Sequence, residues 1–216
     1  MQKLVAALTL TAIGLAGCAS DGGSNGGGSE FSTLLAKTKT ATYKITYQGG
    51  GEPFTIAQDP PRFSFVSGGS STYVLADGSA VSCTGTGPSA NCTDQPGIAD
   101  SIKQGLTSRL GAIAALFVTE AAQGIPGLGA IKTTEKSIAG RGATCATIDG
   151  GILGDLGAAI KGSASVCVDK KTGVILASKA DDGNGHVADV SATTFGTPTD
   201  ADFTPPATPS TNPGPG

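Results

Sequence analysis

Apolar and polar residues alternate along much of the chain, and this two-residue period limits it to a largely β fold. Tyr43, Ile45 and Tyr47 would face one side of a strand, while the residues between them face the other. The pair Asp77-Gly78 stands between two further runs of this kind. Because both of its residues accept the positive φ of a tight hairpin turn, the pattern predicts a β-meander over the first half of the chain.

A helical period separates this meander from a second one. The central apolar residues are spaced by 4, 4, 4, 3 and 4, which is typical of one face of a helix. A period of two then returns between residues 132 and 195, and short helices are predicted at 31–36 and 152–160. We therefore expect an α+β fold in which a strongly curved antiparallel sheet wraps around one long central helix and the short helices.

The N-terminal residues resemble a bacterial lipoprotein signal. Lys3 precedes a short apolar run, and Leu15-Ala16-Gly17-Cys18 follows it. A helix that spans a membrane needs about 20 apolar residues, and this run is shorter. The resemblance to a lipobox implies cleavage before Cys18, attachment of acyl chains such as palmitate to its sulfur, and export to the periplasmic face or the cell surface. The alternative is an ordinary secretory signal with an incidental cysteine.

Composition predicts the domain organisation. Residues 1–17 form the signal peptide, and the Gly- and Ser-rich residues 18–29 form a lipid-anchored flexible tether. Residues 30–204 form a single α+β domain, and the Pro-rich residues 205–216 form a disordered tail. The chain has 14 basic against 17 acidic residues, an excess of acid that excludes a basic nucleic-acid-binding surface.

Four cysteines are left after Cys18. In an exported chain an even number predicts two disulfides, for which four cysteines allow three connectivities. The preferred pairs are Cys83 with Cys92 and Cys145 with Cys167, because each pair lies within one hairpin-like unit. A zinc site is the competing interpretation, which the absence of a C-x-x-C pair disfavours.

Several segments near the C-terminus carry a likeness to a known superfamily. They are Cys167-Val168-Asp169, Thr172-Gly173-Val174-Ile175-Leu176, Ala192-Thr193-Thr194-Phe195 and Asp202-Phe203-Thr204-Pro205-Pro206. With the order of elements over residues 31–206, they resemble the LolA/LolB lipoprotein carriers, including the mycobacterial LppX/LprG-type lipid-carrying lipoproteins. The resemblance implies an unclosed half-barrel whose concave face is covered by helices, with an apolar cavity between them that takes acyl chains.

The central stripe supplies the candidate ligand-binding residues. They are Ile98, Ile102, Leu106, Arg109, Leu110, Ile113 and Phe117. Arg109 lies inside or beside the stripe, so that its charge at the rim of an apolar groove would meet a lipid headgroup. The alternative is that the stripe is ordinary core and that the aliphatic stem of Arg109 extends over it.

Patterns of catalytic or metal-binding residues are few. Gly22-Gly23-Ser24-Asn25-Gly26 matches G-x-S-x-G but lies in the tether, where no strand precedes the serine. Residues 181–185 lack the ligand alternation of a calcium loop and predict a hairpin turn. His186 has no evident partner to orient it as a base. We therefore expect no enzymatic activity, no metal and no cofactor.

These observations predict a membrane-tethered envelope lipoprotein that binds or carries a lipid or other hydrophobic ligand without catalysis. Its partners are then the membrane, through the acyl chains on Cys18, and the apolar ligand. The alternative is a packed surface or periplasmic module for protein interaction or sensing, which has an envelope protein as its partner and no small-molecule ligand.

Overall fold

The computed structural model describes residues 26–97, 132–149, 162–181 and 183–210. Within these ranges the protein has one α-helix, α1, at Gly26–Lys37 and eleven β-strands. The strands are β1 (Tyr43–Gln48), β2 (Phe54–Asp59), β3 (Arg62–Ser67), β4 (Ser70–Val74), β5 (Ala80–Thr84), β6 (Asn91–Asp94), β7 (Lys132–Ile138), β8 (Arg141–Asp149), β9 (Ser163–Asp169), β10 (Ile175–Asp181) and β11 (Val187–Gly196).

The strands form one 11-stranded sheet in the order β6-β5-β4-β3-β2-β1-β11-β10-β9-β8-β7. Each half is an antiparallel meander in which sequential strands pair. The first strand, β1, pairs antiparallel with the last strand, β11, and this pairing joins the two meanders. As a result, β6 and β7 lie at opposite edges of the sheet although they are consecutive strands of the described chain.

The main core lies on the face to which Tyr43, Ile45 and Tyr47 of β1 point. Ile45 lies opposite Ile56 of β2, and the alternation predicted from the sequence accounts for this burial. The hydroxyl of Tyr47 donates a hydrogen bond of 2.6 Å to the carbonyl oxygen of Ile175 in the other meander. Other members of this core are Phe63, Val74, Cys145, Cys167, Val174, Leu176 and Ala192.

A second apolar cluster lies on the opposite face of β4–β6. Tyr73 precedes Val74 on its strand, so its side chain points away from the main core. Tyr73, Val81, Cys83, Ala90 and Cys92 are buried together there, and Leu75 and Ala207 pack against them. The C-terminal segment therefore supplies part of the cover for this face.

The expected sheet around a long central helix is wrong as a description of the fold. The described part of the chain is an antiparallel sheet with one helix of 12 residues, α1, which packs at the end of β9. The predicted helical stripe, residues 98–117, lies outside the described residues. On the apolar face of β1–β3 the described rings contact one another, and β11 contributes Phe195, whose centroid lies 6.3 Å from that of Tyr43.

Helix α1 is fixed to the sheet by Phe31 and Leu34, which are 2% and 8% exposed. Its C-terminal end meets the β9–β10 turn at Gly173, where an added Cβ would collide with the carbonyl oxygen of Leu34. The side-chain hydroxyl of Thr38 donates to the carbonyl oxygen of Gly173 at 2.5 Å. Among the described residues, no helix combines the length and hydrophobicity needed to cross a membrane.

Candidate functional site

The ligand-binding residues predicted from the sequence lie outside the described part of the chain. This holds for Arg109 and for the whole apolar stripe from Ile98 to Phe117. Cys18 lies outside it as well. The structure therefore brings none of these residues into a described site, and the candidate surfaces below are built from other residues.

Aromatic side chains on the apolar face of β1–β3 contact one another. The ring centroids of Tyr47 and Phe54 are 4.9 Å apart, and those of Phe54 and Phe65 are 5.7 Å apart. Ile45 is completely buried between the strands. Rings at these distances are in direct contact, so the described side chains of this face pack on one another, with Phe54 and Phe65 half-buried.

An open apolar groove lies on the other side of the molecule. It has a volume of about 560 Å³ and runs between the C-terminal segment and the loops that flank β5. Its lining residues are Leu75, Pro88, Pro205, Pro206, Ala207, Thr208 and Pro209. The groove is formed where residues 205–210, which the sequence assigns to a disordered tail, lie on the sheet.

The same segment closes one edge of the sheet at β6. The backbone N–H of Ser210 donates to the carbonyl oxygen of Cys92 at 2.9 Å, and the N–H of Asp94 donates to the carbonyl oxygen of Ser210 at 3.1 Å. Upstream, the ring of Phe203 is buried beneath the guanidinium of Arg62, which lies 4.4 Å from the ring centroid. The two hydrogen bonds of Ser210 occupy backbone groups of β6 that an edge strand otherwise exposes.

The opposite edge, β7, differs from β6 in its exposure. Residues 132–137, with the sequence Lys-Thr-Thr-Glu-Lys-Ser, are exposed on both faces of the strand, and Ile138 is half-buried. On the inner side β7 is paired with β8 over its full length, and on the outer side no described strand pairs with it. Strand β7 therefore buries almost no side-chain surface, and its outer backbone edge is not paired with any described strand, although part of β7 lies within 8 Å of β11.

The hairpin that carries β7 is held to the sheet by a buried ion pair. The Asp169 carboxylate accepts hydrogen bonds from Nε and Nη2 of Arg141 at 3.0 and 2.8 Å, and from the backbone N–H and hydroxyl of Thr172 at 2.8 and 2.7 Å. Burial raises the pKa of Asp169, but the bonds from Arg141 and Thr172 outweigh it and leave that pKa below its ordinary value. The Asp169 carboxylate therefore stays ionised at neutral pH.

Arg141 also reaches across the sheet. Its guanidinium lies 4.4 Å from the ring centroid of Phe195 on β11, although β9 and β10 separate the two strands. In a flat sheet three strand spacings amount to about 14 Å, so the sheet bends between β8 and β11. A second ion pair, between Lys170 and Glu135, ties β7 itself to the β9–β10 turn.

Both disulfides join residues that lie directly opposite on neighbouring strands. Cys83 of β5 is bonded to Cys92 of β6, and Cys145 of β8 is bonded to Cys167 of β9. This is the connectivity preferred from the sequence. The second bond lies beside the exposed edge, since Thr134 of β7 is opposite Cys145.

The remaining candidates for chemistry belong to a turn. The side-chain Oδ1 of Asp181 accepts a hydrogen bond from the backbone N–H of Gly183 at 2.8 Å, as a turn requires, and His186 is exposed beside it. Over the described ranges, no group of three or more His, Cys, Asp or Glu side chains is placed to hold a metal ion.

No protein-family model matches the sequence. No curated protein matches it at a significant level. Among solved structures, the chain is similar to MucB, with 15% identity and a TM-score of 0.46, over 82% of this chain and 62% of that chain.

It is also similar to MucB in complex with MucA(peri), with 13% identity and a TM-score of 0.41, and to the MucA/MucB complex of Pseudomonas aeruginosa, with 12% identity and a TM-score of 0.41. Each of these two matches covers 82% of this chain, and 59% and 60% of the respective matched chains. The chain thus spans about three fifths of the structures that it resembles, and likenesses of this size bear neither on its activity nor on its partners.

Two features of this site were missed in the sequence. The Arg141–Asp169 pair joins residues 28 apart, and no local pattern signals it. The exposed edge did have a signal, because residues 132–137 contain no apolar residue in either phase of the alternation. A run with strand-forming threonines and no apolar face is typical of an edge strand.

Proposed function

We propose that this chain is an exported, non-catalytic protein-interaction module that binds an extended segment of a partner protein along β7. The observation that carries the proposal is the exposure of residues 132–137 on both faces of a strand held in register by β8. An extended peptide that adds to such an edge gains main-chain hydrogen bonds, and its alternate side chains provide specificity.

The charges of β7 limit which segment would bind. Lysine on an edge discourages unspecific pairing, so a partner needs an acidic side chain opposite Lys136. On the other face Glu135 is already paired with Lys170. The buried Arg141–Asp169 pair and the Cys145–Cys167 disulfide fix β8, so the edge is presented without a large ordering cost.

The lipid-carrier hypothesis has less support. It needs an apolar cavity under the sheet, whereas the described face of β1–β3 is packed by Tyr47, Phe54 and Phe65. We retain the lipid anchor as part of the proposal, since the lipobox at Cys18 calls for it. Two disulfides are typical of proteins outside the reducing cytoplasm and agree with export.

Site-specific photo-cross-linking in the producing cells tests the proposal. A photoreactive residue at Thr133 of the full chain is expected to give one discrete cross-linked protein, whereas the same residue at the exposed Thr84 of β5 gives none. Lys136→Glu is expected to abolish the product and Lys179→Glu, an exposed lysine on β10, to leave it unchanged.

Lipid analysis of the purified chain, together with the cross-linking result, distinguishes the interaction module from the lipid carrier. If β7 gives no cross-linked product and organic extracts contain a lipid in a fixed ratio to protein, the interaction module is refuted in favour of the carrier. A clean extract together with a Lys136-dependent cross-link supports the module.

A further inference from the structure

Four exposed lysines gather at one end of the sheet. Lys37 ends α1, Lys39 lies in the 3₁₀ turn that follows it, and Lys170 and Lys171 lie in the β9–β10 turn. These residues are named here the lysine cluster. The two segments that carry them are far apart in sequence, so their proximity is a product of the fold.

Direct contacts hold the two segments together. The hydroxyl of Thr38 donates to the carbonyl oxygen of Gly173 at 2.5 Å. Gly173 has a φ of +70°, and a Cβ on it would lie 3.3 Å from the Cβ of Lys37 and collide with the carbonyl oxygen of Leu34. Glycine at 173 therefore permits a close approach between the helix and the turn. Lys37 then lies next to Gly173, which is two residues after Lys171 in the chain.

The acidic groups at this end are already neutralised. Asp169 is paired with Arg141, and Glu135 with Lys170. Within the described ranges, no ion pair involves Lys37, Lys39 or Lys171. The cluster thus carries an excess of three positive charges on a chain whose formal net charge is −3.

An anchor at Cys18 would keep the cluster close to a membrane. Helix α1 begins at Gly26, and the eight residues from Cys18 span at most about 28 Å when fully extended. The 12 residues of α1 add about 18 Å up to Lys37. A basic surface held within this distance of lipid reaches the headgroups whenever the domain tilts, because tethering replaces a bimolecular encounter with an intramolecular one.

We propose that the lysine cluster binds the anionic phospholipid headgroups of the membrane that anchors the chain, so that this end of the sheet lies on the lipid surface. The proposal rests on the lipid attachment at Cys18 put forward above. A lipid surface is a better candidate than an acidic protein, because the acyl anchor holds the lysine cluster near lipid headgroups. Such attraction grows with each lysine and is lost beyond about 8 Å at physiological ionic strength.

Lysine acetylation on vesicles tests this assignment without changing the sequence. The full lipidated chain is reconstituted into vesicles of phosphatidylcholine alone or with phosphatidylglycerol, and modification is read residue by residue by mass spectrometry. We expect about fivefold less modification at Lys37, Lys39 and Lys171 on the anionic vesicles, restored by high salt. Lys179, exposed near the other end of β10, is the internal control and should not change.

A triple variant, Lys37→Gln with Lys39→Gln and Lys171→Gln, tests whether the lysines of the cluster act together. Lys170, which should also be protected on anionic vesicles in the wild-type chain, is expected to be modified equally on both vesicle types in this variant. Equal modification on both vesicle types in the wild-type chain overturns the proposal. Protection by soluble glycerol phosphate, or by a polyglutamate peptide in place of anionic vesicles, overturns it as well, since the cluster then binds a free phosphate or an acidic protein.

Failure of the anchor is recognised separately. The acyl mass on the Cys18 peptide and flotation of the chain with phosphatidylcholine vesicles report lipid attachment alone. A chain without acyl groups refutes the attachment, and its lysines are then tested by adding the same two kinds of vesicles from outside.

Discussion

The carboxylate of Asp169 accepts two hydrogen bonds from the guanidinium of Arg141, at 3.0 and 2.8 Å, across the start of β8 and the end of β9. The Asp169 side chain is 1% exposed and that of Arg141 27%. Since the same guanidinium lies over Phe195, this pair connects the outer strands of the second meander to the strand that pairs with β1.

Asp169→Asn is expected to lower the free energy of unfolding by about 2–3 kcal/mol, because it leaves a partly buried guanidinium without its counter-charge. Urea unfolding followed by circular dichroism measures the change. Asp59→Asn, which breaks the more exposed pair with Arg62, is the matched control and should have a clearly smaller effect. Equal effects of the two variants would show that burial of the Asp169 pair is energetically unimportant.

Stability should fall in acid. Because the pKa of Asp169 in the folded protein lies below its ordinary value, its ionised form stabilises the fold above about pH 4, and this contribution is lost as pH falls through the lower folded-state pKa. We expect urea midpoints that are level from neutral pH down to about pH 5 and then decrease. Asp169→Asn should flatten the decrease, and an unchanged acid limb in this variant would contradict the assignment.

Removal of the two disulfides should have unequal costs. The Cys145–Cys167 bond closes a longer loop than Cys83–Cys92, with sequence separations of 22 and 9. The chain-entropy relation gives about 3.4 and 2.7 kcal/mol for them. Each pair of cysteines is replaced by alanine, and the unfolding temperatures of the two variants are compared. The Cys145→Ala/Cys167→Ala variant should have the lower unfolding temperature. The reverse order would mean that local packing outweighs loop closure.

The β7–β8 turn contains a residue in a conformation that asparagine and glycine adopt more readily. Ala139 has a φ of +48° and precedes Gly140 at +72°. Ala139→Asn creates the Asn-Gly pair that such two-residue hairpins favour, and we expect it to raise the free energy of unfolding by about 0.5–1 kcal/mol. Ala76→Asn, exposed and without a positive φ, is the control. A loss of stability in Ala139→Asn would refute the role of backbone conformation here.

Truncation after Phe203 should make the protein self-associate. It removes Ala207, which packs against the second apolar cluster, and releases the carbonyl of Cys92 and the N–H of Asp94 at the β6 edge. Light scattering after size-exclusion chromatography is expected to show dimers or larger species. Truncation after Ser210 keeps these contacts and should leave the oligomeric state as in the full chain, so self-association in both variants would rule out this explanation.

Local features of the sheet were predictable from the sequence. The alternation at Tyr43, Ile45 and Tyr47 became β1, and Asp77-Gly78 forms part of the turn between β4 and β5. The two disulfides followed from the spacing of cysteines within hairpins. These features depend on residues close in sequence, for which turn chemistry and side-chain period are sufficient signals.

Long-range features were not predictable in this way. The expectation of a sheet around a central helix assumed that a helix covers the apolar face of the first meander. In the structure, residues of the second meander contact this face: Phe195 packs near Tyr43, and the carbonyl of Ile175 accepts a hydrogen bond from Tyr47. The position of residues 205–210 was missed for a related reason. A Pro-rich segment has no period of its own, and its order depends on Leu75 and on the edge of β6.

The adjacency of the first and last strands has a consequence for biogenesis. Strand β1 is synthesised well before its hydrogen-bonding partner β11, because all the other strands of the sheet lie between them in sequence. Contacts that wait so long for their partner slow folding and leave intermediates prone to aggregation. A nascent chain halted before residue 187 would leave one edge of β1 unpaired. Chaperones and proteases that recognise exposed strand edges should therefore act on such incomplete chains.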